Sequence, residues 1–113
     1  MNAMRILLVA NELRSYREAI AQVFEKLRPE IEVYETEPEN LNREVTRLRP
    51  DFVVCSQVTS MVESCVPVWV ELYPDCEAHS VVSIRGETTT VDDIQLTDLL
   101  EILDRTEDLA HLG

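Results

Sequence analysis

Glycine is almost missing from this chain. Gly86 and Gly113 are the only two, so no glycine-rich loop can cradle a phosphate or a dinucleotide. Cations are scarce as well: ten Lys and Arg face 22 Asp and Glu, a net charge of −12. Such a surface repels nucleic-acid phosphates and anionic lipid head groups, and favours partners with basic patches. Direct binding to nucleic acid or membrane is therefore not expected. Long apolar runs are also lacking, since Ile6 to Ala10 is too short for a span or a leader. Cys55, Cys65 and Cys76 are odd in number and form no C-x-x-C pair, which points to a reducing cytoplasm.

What remains is 113 residues with 45% apolar and 28% charged content, enough for one domain with its own core and no disulfide or metal. Met1 to Ala3 reads as a cloning remnant, with Met4 as the natural start. A single domain then spans 4–106, and 107–113 reads as a frayed tail.

Arg5 to Ala10 is continuous and apolar, as a strand buried on both faces would be. Leu13, Tyr16, Ile20, Val23, Phe24 and Leu27 recur at helical steps, and Pro29 ends that helix. Ile31 to Tyr34 suits a strand nearer an edge. Pro38 suits a helix first turn, with Leu41, Val45 and Leu48 as the buried stripe. Pro50 stops that helix, and Asp51 to Cys55 is the third strand. Two rounds of alternation predict βαβ units.

After Ser56 the pattern loosens. Gln57 to Ser64 fits a short helix or an irregular loop, Val66 to Leu72 a fourth strand, Pro74-Asp75 a turn, and Ser80 to Ile84 a fifth strand. The gap before the fifth strand is too short for a crossover helix, so an antiparallel hairpin or an abbreviated connection is expected. Thr88-Thr89-Thr90 reads as a polar linker. Thr90 with Asp93, or else Thr97, would cap a terminal helix built on Leu99, Leu100, Ile102 and Leu103.

Two stretches, I-L-L-V-A-N-E at Ile6 to Glu12 and R-P-D-F-V-V-C-S at Arg49 to Ser56, resemble the response-regulator receiver (CheY-like) family. The resemblance implies a flavodoxin-like, three-layer αβα fold with a mostly parallel five-stranded sheet, its last connection abbreviated. It also places the family's magnesium-binding acids on Ala10 and Asn11, and its phosphate-accepting aspartate on Ser56. The family's lysine falls on Arg85. Aspartyl phosphorylation needs a carboxylate nucleophile and a divalent cation held by oxygen ligands. Alanine offers no ligand, asparagine is neutral, and a serine without a base is a weak nucleophile. The resemblance therefore implies a degenerate pseudo-receiver, with neither a catalytic residue nor a cofactor or metal.

Asn11, Ser56, Glu71 and Arg85 fall near predicted strand ends, where open α/β sheets bind ligands. They are a possible ligand pocket, or else loop-edge polar groups that satisfy one another. Cys55 reads as a small buried hydrophobe rather than a nucleophile. Cys65, Cys76 and His79 have tolerable zinc spacing but no evident fourth ligand. Trp69 and Tyr73 would share a strand side, in the core or at a partner surface. The run Val66 to Tyr73 is apolar enough to pair at a sheet edge in a homodimer.

The expected function is a phosphorylation-independent interaction module in bacterial signalling that binds a protein partner. The alternative is a sensor of a small anionic ligand near Asn11, Ser56 and Arg85. An enzyme using Cys55 or Ser56, with His79 as base, ranks third.

Overall fold

A computed structural model of the chain describes residues 5–72, 79–92 and 94–112. The first apolar run is β1 (Arg5–Ala10), which lies inside the sheet. Its two faces are both covered, with Leu7, Leu8, Val9 and Ala10 all buried. α1 (Arg14–Leu27) turns Ile20, Ala21 and Phe24 inward. Its apolar stripe is narrower than the spacing predicts, because Leu13, Tyr16 and Leu27 stay exposed. β2 (Ile31–Glu35) pairs with β1 in parallel.

A single 3-10 turn at Pro38–Asn40 leads into α2 (Leu41–Leu48), which buries Leu41 and Val45. Arg49 adopts a left-handed φ of 49° at its end. β3 (Phe52–Cys55) is buried throughout. A loop then precedes α3 (Ser60–Cys65), which is capped by the Thr59 hydroxyl accepting the Val62 N–H at 3.2 Å. β4 (Val68–Glu71), β5 (His79–Ile84), β6 (Glu87–Asp92) and α4 (Leu96–Leu112) complete the order. The Asp98 carboxylate accepts the Gln95 N–H at 2.8 Å where α4 begins, the reaching-back half of a capping box. Thr90 lies in β6 and Thr97 within α4, so neither occupies the cap position. α4 continues through residues 107–112, the stretch expected to fray.

The sheet has six strands in the order β2-β1-β3-β4-β5-β6. The first four are parallel; β5 is antiparallel to β4, and β6 to β5. This corrects the expected mostly parallel, five-stranded flavodoxin-like (CheY-like) sheet. The physical reason is connection length. Only residues 73–78 lie between Leu72 and His79, and a parallel return needs about a dozen residues or more.

A second correction concerns Thr88-Thr89-Thr90, which is not a linker but the middle of β6. Arg85 and Gly86 both have positive φ, 50° and 91°, as a two-residue hairpin turn of the right twist requires. Threonine suits an exposed strand because its branched Cβ fits the pleat. A third correction removes the described part of the Val66 to Tyr73 run as an edge. β4 (Val68–Glu71) has β3 on one side and β5 on the other, so among the described residues the free edges belong to β2 and β6.

Helices cover both faces. α1 and α4 pack on a cluster that includes Leu7, Val9, Phe24, Phe52, Val54 and Leu99. Phe24 meets Phe52 edge to face, with centroids 6.3 Å apart and planes at 89°. α2 and α3 pack on Leu8, Ala10, Val53, Cys55 and Trp69, which makes Trp69 a core residue. Met1 to Ala3, Met4, Tyr73, the Pro74-Asp75 turn, Cys76 and Asp93 lie outside the described residues. No helix among the described residues is long and apolar enough to cross a membrane.

Candidate functional site

β1 and β3 are neighbours, yet the chain leaves them toward opposite faces, into α1 and into α3. A crevice opens at the carboxyl ends of two such strands. Here it measures about 520 Å³ and is lined by Glu12, Arg14, Arg17, Glu37, Glu39 and Ser56, among others.

Most strand-end groups are engaged in holding the loops. The Ser56 hydroxyl accepts the Glu12 N–H at 2.6 Å, which ties the loop after β3 to the loop after β1. The Glu71 carboxylate accepts the Val58 N–H at 2.8 Å and fixes the loop after β3 to the end of β4. Arg17 donates to the Asn11 carbonyl at 2.9 Å. Each bond satisfies a backbone group that the turn leaves without a ladder partner.

Asn11 is the exception. Its side chain is 1% exposed, and neither Oδ1 nor Nδ2 has a hydrogen-bond partner. An unsatisfied buried amide costs about 1–3 kcal/mol. Ala10, the other position aligned with a metal acid, is a buried core residue. No group of three His, Cys, Asp or Glu side chains placed to hold a metal occurs among the described residues.

The crevice carries mixed charge. α1 begins at an uncapped Leu13 and has no acid in its first turn; Arg14 and Arg17 stand there instead. Cations at a helix N-terminus oppose its dipole, and Arg14 is itself paired with Glu18 at 2.8 Å. Glu12 beside them and Glu37 and Glu39 from the loop after β2 share the crevice. Glu37 holds the Glu39 carboxyl above its ordinary range, first by a hydrogen bond and then by repulsion, while Arg17 pulls the other way. The acid-free first turn was the sequence signal for Arg14 and Arg17. Glu37 and Glu39 carried none, because only the folded chain brings the loop after β2 to this place.

Asn11, Ser56 and Glu71 do stand at one edge of the sheet, and Arg85 does not join them. The reversal of β5 carries Arg85 to the opposite edge, where its N–H donates to the Pro67 carbonyl at 2.7 Å. Cys55 is fully buried, and its thiol is pushed up to about 12, first by desolvation and then by the Glu71 charge. It stays protonated near neutral pH, a poor state for a nucleophile. His79 begins β5, two strands away from β3, or roughly 10 Å at ordinary strand spacing. Cys65 is exposed on α3. No family model, curated protein or solved structure matches the chain.

Proposed function

We propose that this domain is a binding module that holds a protein partner and performs no chemistry at its strand ends. The observation that carries the reading is the use of Ser56 and Glu71. Both spend their oxygens on backbone N–H groups of neighbouring loops, which is what structural polar groups do. The buried, protonated Cys55 thiol adds to it. The mixed sheet departs from a receiver's parallel one. The charge of −12 favours a partner with a basic surface. Cys55 and Cys65 are free thiols, which suits a reducing cytoplasm.

The second reading is a sensor of a small anionic ligand in the crevice. Arg14 and Arg17 at the uncapped start of α1 favour it. The three glutamates that line the same crevice oppose it, because a bound anion would have to compete with them.

Thermal melting against nucleotides, phosphates and carboxylic acids, run beside affinity capture with the purified domain as bait, separates the two. A flat melting panel and a captured protein that rebinds in purified form support the binding module. A specific rise in Tm that Arg17→Ala abolishes supports the sensor and overturns the module, through linkage of binding to stability.

A further inference from the structure

We propose that β6 is the docking edge of the domain, and that it accepts an extended segment of a partner protein carrying a cation at each end. This names the surface and the partner chemistry of the binding module proposed above and rests on that reading.

β6 pairs with β5 on one side and, among the described residues, with no strand on the other. Glu87, Thr88, Thr89, Thr90 and Asp92 are all exposed and Val91 is half-buried. The opposite edge differs, because β2 exposes only Glu35. Which β6 groups face outward follows from the ladder. The Arg85 N–H bonds back toward β4 at Pro67, so Ile84, one residue earlier, directs its backbone toward β6. Ile84 and Glu87 then form the hydrogen-bonded pair that closes the turn, and pairs alternate from there. Thr88, Thr90 and Asp92 are left with N–H and C=O groups pointing away from the sheet.

Natural sheets blunt such an edge with lysine, proline or a bulge. β6 has no lysine, proline or bulge, and its charges stand only at its two ends: its sequence is E-T-T-T-V-D, and its register with β5 runs unbroken over six pairs. An added strand finds main-chain partners at alternate residues and β-branched neighbours on both faces. The charges choose the occupant. In a two-fold antiparallel pairing of two copies, the Glu87 end of one strand lies against the Asp92 end of the other, without the two residues standing directly opposite, and each copy carries −12. Like charges opposite one another destabilise a strand pair. A strand with Lys or Arg at positions i and i+5 meets Glu87 and Asp92 with opposite charge instead.

The test uses the whole, isotope-labelled chain and a blocked peptide, Lys-Thr-Val-Thr-Val-Lys. Two controls are a Glu-ended version and an equally charged Lys-Gly-Pro-Gly-Gly-Lys that cannot form a strand. The expected result is saturable amide shifts centred on Thr88, Thr90 and Asp92, weakened several-fold by added salt and by the paired change Glu87→Gln with Asp92→Asn. Thr90→Pro removes an outward N–H without breaking the ladder and should weaken binding at least tenfold. If that variant does not fold, Thr90→Lys serves, since its cation repels the peptide. The proposal is overturned by equal shifts from the Gly-Pro peptide, by no shift with the strand peptide, or by formation of a homodimer through β6. If β6 stays silent while a captured partner shifts another surface, only the edge assignment fails. If no partner binds and a small ligand raises Tm, the module itself fails.

Discussion

Asp51 and Ile6 hold each other by two hydrogen bonds. The Asp51 carboxylate accepts the Ile6 N–H at 3.0 Å, and the Asp51 N–H donates to the Ile6 carbonyl at 2.9 Å. The pair fastens the start of β3 beside β1, directly after the turn that Pro50 enforces. The Pro-Asp element is thus explained by sheet assembly. Asp51→Ala leaves the Ile6 N–H without its acceptor and should cost about 1–2 kcal/mol, measured by urea unfolding. Unchanged stability would show that water replaces the carboxylate without loss.

Asn11 should be replaceable at no cost. Its buried amide has no partner, so Asn11→Leu, of the same branched shape and heavy-atom count, removes an unsatisfied polar group. The expected outcome is equal or higher stability, by up to about 2 kcal/mol. A marked loss would mean that the amide has a partner in solution and would revive the crevice as a ligand site.

The two described cysteines should react very differently. Cys65 is exposed, whereas Cys55 is buried with its thiol at about 12. Alkylation of the folded protein near pH 8, followed by peptide mapping, should label Cys65 and spare Cys55. The pH dependence has a definite sign. The folded thiol titrates above its ordinary value of 9.0, so the unfolded chain loses this proton first. Stability therefore falls as pH rises from about 9 towards 12, and Cys55→Ala should flatten that alkaline loss.

Arg28 joins α1 to α4 through a two-pronged contact with Asp104, at 3.0 and 2.8 Å. The hydrogen bonds from Arg28 hold the Asp104 carboxyl below its ordinary 3.8. A lowered acid contributes above its unfolded value, and the contribution is lost as pH falls through its folded value. Half of the aspartate side chain is in solvent, at 48% exposure, so the pair is worth less than about 1 kcal/mol. Asp104→Asn should lose that amount near pH 7 and match the parent protein near pH 2 in denaturant melts.

The parts legible in the sequence were those with a buried pattern. Ile6 to Ala10 and Phe52 to Cys55 are unbroken apolar runs because helices cover the sheet on both faces there. Pro29, Pro38 and Pro50 marked helix limits by their ring geometry. β6 was hidden because only Val91 of its six residues packs toward the core, which leaves too little of the alternation of apolar and polar residues that marks a half-buried strand. The turn offered Arg85-Gly86, with a single glycine where both residues need positive φ. Arg85 stands at the other end of the sheet because β5 runs antiparallel to β4. At the site, Asn11, Ser56 and Glu71 were found at strand ends. Their work on loop N–H groups was not readable, because Glu12 and Val58 reach them only through tertiary contacts.

The open edge of β6 can be measured directly by hydrogen exchange of its backbone amides in dilute protein. The hairpin register predicts an alternating pattern. Glu87, Thr89 and Val91 are protected by bonds to β5, while Thr88, Thr90 and Asp92 exchange freely. Protection of Thr88 and Thr90 in the isolated chain would contradict the account, because the edge would then already be occupied.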